Sequence, residues 1–339
     1  MVSLSAVRSS NSLISSRLPP GLVAVFVGAT SGIGEATLKQ FAKNTRKPRA
    51  YFIGRSQAAA DRILAECKAL NPAGEYIFNI FKKADVSLIR VVDEVCREIK
   101  AKAKVVNLLF LSQGVPSMDR NETSEHLHLL TALTYYSRLR FITNLLPTIQ
   151  ASTAFRRIVY VAGGGNEGPL DYTDFPALRV PLAALRGHLC SLVTLGLEAV
   201  ARTAPDVSFV HDYPGMVRTT LLSRMKGLRG VVIRTYGFVL GWWVCVPLEE
   251  SGERHLYLAT SARFPAARKG VLSVPLGEGE EVAVGSTGEV GGGMYSVGWD
   301  GESASEGVRE LLMGLRETGM VEEVWKHTEG EFKRITGGL

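Results

Sequence analysis

Within seven residues the chain places Gly28, Gly32 and Gly34, directly after the apolar run 23–27 and at the start of a helix-like run. Glycine at the first position lets a chain turn sharply off a strand. At the other two it lets backbone N–H groups approach a pyrophosphate and lets a helix pack close to the strand. A helix opening near Ile33 turns its positive end toward that anion, with Thr30 and Ser31 in the same loop. A glycine loop alone is a weak signal; between a strand and a helix it marks a dinucleotide site.

The second apolar run ends Tyr51-Phe52-Ile53-Gly54-Arg55-Ser56. A carboxylate there would bind a ribose 2′-hydroxyl and repel a 2′-phosphate. Arg55 can instead pair bidentately with a phosphate, with Ser56 beside it. This predicts NADP(H) over NAD(H); the alternative is that Arg55 stacks on the adenine.

The elements that must hold these groups alternate. Strand-like runs at 23–27, 50–53, 76–80, 105–111, 157–161 and 208–211 are mostly near-continuous in apolar residues, as strands covered on both faces should be, and a last strand is placed at 294–297. Helix-like runs lie at 32–43, 57–70, 88–104, 125–149 (broken near Thr134), 182–202 and 249–260. The pattern predicts an α/β fold: a doubly wound, Rossmann-like parallel sheet of about seven strands with helices on both faces. Residues 1–21 read as an N-terminal arm and 22–300 as one nucleotide-binding domain, with a lid-like insertion at 220–247 that includes the aromatic segment 231–247. Residues 301–339 read as a C-terminal helical extension in which Gly319 separates two helices. A short hairpin is placed at 271–274 in a long glycine-rich loop.

The order and spacing of these motifs resemble the short-chain dehydrogenase/reductase family over residues 22–262. In that resemblance Asp85-Val86 stands beside the adenine, and Leu111-Ser112-Gln113-Gly114 stands where the family has Asn-Asn-Ala-Gly. Pro214-Gly215-Met216-Val217-Arg218-Thr219 follows the sixth strand, with Thr219 at the nicotinamide end. Val27 departs from the family, which usually has threonine before the first glycine. The cofactor set implied is Gly28, Thr30, Ser31, Gly32, Ile33, Gly34, Arg55, Ser56, Asp85, Val86, Ser112, Gln113, Gly114, Pro214, Gly215, Val217 and Thr219.

The family's chemistry uses an Asn, a Ser, a Tyr and a Lys, the lysine favouring phenolate on the tyrosine. Here no tyrosine has lysine four residues later, and no lysine lies between Lys104 and Lys226. Counting from nearby landmarks puts Thr134 at the Asn, Ala162-Gly163-Gly164-Gly165 where the Ser should follow, Pro181 at the Tyr and Leu185 at the Lys. The replacement candidates are Tyr172 and Tyr213 as proton donors, Arg186 as the charge, and Thr134 itself. Tyr135, Tyr136, Arg138, Tyr160, Asn166, Glu167, His188 and His211-Asp212 are further polar groups nearby, each with an ordinary structural reading.

Three functions stay open. The first is an NADPH-dependent reductase of a carbonyl, imine or conjugated alkene in a bulky apolar small molecule, with a non-standard site. The second is a non-redox cyclase or isomerase on the same scaffold. The third is an inactive NADP(H)-binding sensor or partner protein. The variant motifs resemble divergent fungal members of the family associated with natural-product pathways. The resemblance also implies a homodimer through the long helices, which the segment 231–247 and the tail would obstruct.

The 39 basic and 33 acidic residues leave a net charge of +6 without an interleaved basic and aromatic element, which argues against nucleic acid as a partner. The most apolar run, 231–247, is interrupted by Arg234 and is too short to span a bilayer. Four scattered cysteines without CxxC fit thiols in the cytoplasm, and six histidines without HExxH give no metal site.

Overall fold

The computed structural model describes residues 1–79, 85–115, 119–217, 245–268 and 270–338. Seven strands pair in parallel in the order β3-β2-β1-β4-β5-β6-β7. They are β1 (Val23–Val27), β2 (Arg49–Ile53), β3 (Glu75–Asn79), β4 (Leu108–Leu111), β5 (Arg157–Val161), β6 (Ser208–Asp212) and β7 (Met294–Val297). Successive residues along the inner strands serve opposite cores. Val25, Val27, Leu109, Leu111, Ile158 and Tyr160 face one; Ala24, Phe26, Leu108, Phe110, Val159 and Val161 face the other. Both faces are dry, which is why the strands read as continuous apolar runs.

The helices are α1 (Leu4–Ser12), α2 (Ile14–Arg17), α3 (Gly32–Asn44), α4 (Gln57–Leu70), α5 (Ile89–Lys102), α6 (Leu129–Thr131), α7 (Ser137–Gln150), α8 (Leu182–Thr203), α9 (Leu248–Thr260), α10 (Glu306–Glu317) and α11 (Met320–Thr336). Leu38, Phe41, Ile63 and Leu256 put α3, α4 and α9 on one face. Val92, Leu139, Leu192 and Phe332 put α5, α7, α8 and α11 on the other. Because β1 is flanked by β2 and β4, the connections diverge there and leave a crevice above the strands' C-terminal ends. By length and composition α8 could cross a membrane, but 67% of its apolar window is buried in the fold.

Several expectations are corrected. The helix predicted from residue 125 begins at Leu129, with a π-helical turn over Ala132–Tyr136 before α7. Glu125 serves another helix: its carboxylate accepts from the Ile89 and Arg90 amides at 2.6 and 3.1 Å, capping α5. The strand predicted from 105 starts at Leu108, because the Val106 amide donates to Thr148 O at 3.1 Å. No hairpin forms at 271–274; Val274 makes a parallel bridge with Ser261 instead. The N-terminal arm is helical and clamps α9, with Arg8 Nε 3.0 Å from Glu253 Oε2 and Asn11 Nδ2 donating to Glu253 O at 2.9 Å. Gly319 does separate α10 from α11, at φ +75°. Most of the segment 220–247 lies outside the described residues. The chain on either side of it is joined, with the Val246 amide donating to Met216 O at 2.8 Å and Val217 bridging Val246.

Candidate active site

A cavity of about 310 Å³ occupies the crevice. Gly28, Thr30, Ser31, Gly32, Ile33 and Gly34 form one wall; Arg55, Ser56, Asp85 and Val86 lie toward β2; Ser112, Gln113 and Gly114 lie at the end of β4. Gly28 has φ +88°, and a Cβ there would lie 2.6 Å from Gln113 N. A Cβ on Gly34 would lie 2.5 Å from Ser112 Oγ. The loop thus tolerates no side chain where β1, β4 and α3 converge. Ser31 stands at the N-cap of α3 without a side-chain cap, so the helix's first amides remain available to an anion.

Arg55 is exposed at the β2 end and has no ion pair among the described residues. Ser56 is engaged, its hydroxyl accepting from the Ala59 amide at 3.2 Å to cap α4. Asp85 Oδ1 accepts from the Ser87 hydroxyl at 2.6 Å, which leaves Oδ2 for a ligand. Gln113 is 5% exposed, and among the described residues its Oε1 has no hydrogen-bond partner, an orphaned acceptor on the cavity wall. Pro214, Gly215 and Val217 are not in the lining, and Thr219 lies outside the described residues. Val27, Ile53, Gly54, Ala59, Leu133 and Val161 complete the lining and are not in the cofactor set expected from sequence.

Two of the four catalytic candidates meet. The Arg186 guanidinium sits over the Tyr213 ring, 4.5 Å from its centroid. The strand period explains this: His211 and Tyr213 leave the β6 end toward α8, where His211 meets Thr194 and Tyr213 meets Arg186 two turns earlier. Tyr213 follows Asp212, the register partner of the cavity residue Val161. Among the described residues its hydroxyl has no hydrogen-bond partner. None of the four is among the residues lining the cavity. The Thr134 hydroxyl is turned back to Leu130 O at 2.7 Å. Tyr172, 69% exposed, lies outside the cavity in a separate groove against Lys326 and His327 of α11.

Behind the cavity lies a buried polar layer. The Gly163 amide donates to His211 Nε2 at 3.1 Å, so the imidazole proton is on Nδ1. From there a chain runs through Thr194 Oγ1 (2.9 Å) to Glu167 Oε1 (2.7 Å). Burial, with Arg138 nearby, holds His211 down to about 3, and burial raises Glu167. The layer braces the 163–165 loop, with the Gly165 amide also donating to Ser296 Oγ at 2.7 Å. Tyr135, Tyr136 and Tyr160 are committed to Thr328, His327 and the Thr134 carbonyl, and burial raises all three. Among the described residues no three His, Cys, Asp or Glu side chains gather as metal ligands.

Residues 22–166 match the family described as short chain dehydrogenase. An oxidoreductase of Emericella variicolor is 38% identical over 342 residues, 99% of this chain and 98% of that one. One of Emericella nidulans is 41% identical over 337 residues, 97% of each. The chain belongs to the short-chain dehydrogenase/reductase family. Its fold is shared by the L-sorbose reductase of Gluconobacter frateurii, solved with NADPH and L-sorbose, at 17% identity and a TM-score of 0.55 over 77% of this chain and 98% of that one.

Against the family's pattern, the counted lysine position is filled by apolar packing. Leu185 is 5% exposed and clusters with Ala177 and Val180. At the serine loop, a Cβ on Gly163 would lie 2.3 Å from Cys190 Sγ, so the thiol of α8 fills the space a side chain would take. Burial pushes that thiol up to about 12, and it stays protonated. Restoring the lysine should therefore fail. Leu185→Lys is expected to destabilise the fold by about 3–5 kcal/mol, through an unpaired buried charge, without raising turnover. Thermal unfolding and an NADPH oxidation assay check both parts.

Proposed function

We propose that this short-chain dehydrogenase/reductase is an NADP(H)-dependent oxidoreductase that reduces a polar double bond, carbonyl, imine or conjugated alkene, in an apolar small molecule. The observation that carries the reading is the unpaired Arg55 at one end of a cavity whose wall is an uncapped helix N-terminus. The glycine cradle, which a Cβ would fill, and the orphaned Gln113 Oε1 fit the same group. The relatives' names, and NADPH in the L-sorbose reductase structure, support it. All four cysteines are unpaired, in keeping with a cytoplasmic setting.

Bound NADPH would supply a hydride to the carbon of the substrate's double bond. The Tyr213 hydroxyl delivers the proton to the heteroatom, or to the alkene terminus. Charge developing on the phenol oxygen as the proton leaves is met by Arg186, and the half-buried tyrosine is reprotonated from solvent. The backbone of 28–34 and the α3 N-terminus would hold the pyrophosphate, and Arg55 would pair with the 2′-phosphate.

Arg55→Asp is expected to shift the NADPH-to-NADH affinity ratio toward NADH by about tenfold or more. Fluorescence titration of both nucleotides checks it, and an unchanged ratio counts against the assignment. A second reading, a nucleotide-binding protein without turnover, is favoured by the apolar packing at Leu185. Absorbance at the NADPH band with a panel of ketones, enones and imines separates the two.

A further inference from the structure

Arg138 is a buried cation touching the cavity wall, and among the described residues its bonds all run to neutral groups. It is 3% exposed. Its Nη1 donates to Val161 O at 2.6 Å and Leu111 O at 3.3 Å, and its Nη2 donates to Gln113 O. A Cβ on Gly114 would lie 3.9 Å from Nη2. Gln113, Gly114 and Val161 line the cavity beyond β1, at the end opposite Arg55. The guanidinium therefore sits directly beneath that end.

A buried charge calls for a counter-charge, and the groups around Arg138 do not provide a free one. From β5, Tyr160 stacks on the guanidinium at 4.7 Å, with its hydroxyl donated to the Thr134 carbonyl, and it is neutral. From β6, His211 is neutral because its Nε2 accepts the Gly163 amide. Asp212 is the one carboxylate whose charge reaches Arg138, and it lies against His255 rather than within ion-pair distance of Arg138. His255 Nε2 lies 3.0 Å from Asp212 Oδ2, close enough for charge pairing though off a hydrogen-bond direction. The other ring nitrogen, Nδ1, meets Ser251 O at 2.6 Å and must donate to it. Burial alone would lower His255, but Asp212 and the Ser251 carbonyl raise it. Among the described residues no carboxylate lies within ion-pair distance of Arg138, whose guanidinium bonds only backbone carbonyls.

If the nucleotide reading holds, the end of the cavity opposite Arg55 receives the nicotinamide. That ring is neutral when reduced and carries a positive charge when oxidised. We infer that the Arg138 guanidinium makes the site discriminate between the two redox forms, favouring the reduced nucleotide and expelling the oxidised one. The adenosine, pyrophosphate and 2′-phosphate are common to both forms, so the preference isolates the ring. It assigns the reaction a direction: the protein works as a reductase, and the spent cofactor leaves readily.

The test is the ratio of dissociation constants for NADPH and NADP+, by calorimetry at one pH and ionic strength. Wild-type protein is expected to favour NADPH by about tenfold or more. Arg138→Met should bring the ratio toward one. Arg138→Lys, which keeps the charge but cannot span the carbonyls of Leu111, Gln113 and Val161, should keep most of the preference even if both affinities fall. A wild-type ratio near one, or one favouring NADP+, overturns the inference alone; so does an equal loss of preference in the Lys and Met variants. If Arg138→Met does not fold, the wild-type ratio still decides. Failure of either nucleotide to bind at millimolar concentration overturns the nucleotide reading and this inference with it.

Discussion

Tyr213→Phe should lower kcat by about 10²- to 10⁴-fold, the usual contribution of a positioned general acid, and leave NADPH affinity nearly unchanged. The substitution removes one oxygen from a half-buried side chain and leaves the ring under Arg186. Stability should therefore hold, and a fall in kcat without a change in KM for NADPH reports on chemistry rather than folding. Arg186→Met should reproduce part of the loss, since the hydroxyl remains but the charge beside it goes. Tyr172→Phe serves as the control and should be silent, because Tyr172 opens onto the α11 groove. If Tyr213→Phe turns over at the wild-type rate, the proton comes from elsewhere and the Arg186–Tyr213 assignment is wrong.

Gly28→Ala should nearly abolish nucleotide binding, with affinity falling by more than about 100-fold, and should destabilise the fold by about 2–5 kcal/mol. Two effects add. At φ +88° an alanine is strained whatever space surrounds it, and its Cβ would stand 2.6 Å from Gln113 N and 2.8 Å from Gln113 Cα. Those are backbone atoms, so relief requires β4 to move away from β1. Movement there displaces Gln113 and Gly114, two of the cavity's own walls. Calorimetric titration with NADPH and the Tm measure the two effects. Full affinity in the variant would show that the cradle does not hold the pyrophosphate.

What could be read before folding was local. Gly28, Gly32 and Gly34 announce a turn and a close approach through their own backbones, and the strands announce two dry faces because both sets of alternate residues are apolar. What escaped depends on partners far along the chain. Glu125 resembles the start of a helix but caps α5 from 35 and 36 residues away. Arg138 reads as one arginine in a helical run, since its acceptors come from the ends of two strands. Tyr172 belongs to a segment that flanks the cleft in the family, yet α11 takes that segment as its own packing surface. Arg186 and Tyr213 were each named as candidates; that they stack on each other follows only from the way β6 runs beside α8.

The join between Met216 and Val246 bears on how this scaffold can be re-purposed. The chain departs after Val217 and returns at a point where the two strands of the junction already bond to each other. The chain ends that flank residues 218–244 are thus held together. Stretches of other lengths can be spliced there at little thermodynamic penalty, since doubling a loop adds only about 0.6 kcal/mol. Chimeras exchanged at this seam should keep the cavity at the ends of β1 and β4 intact.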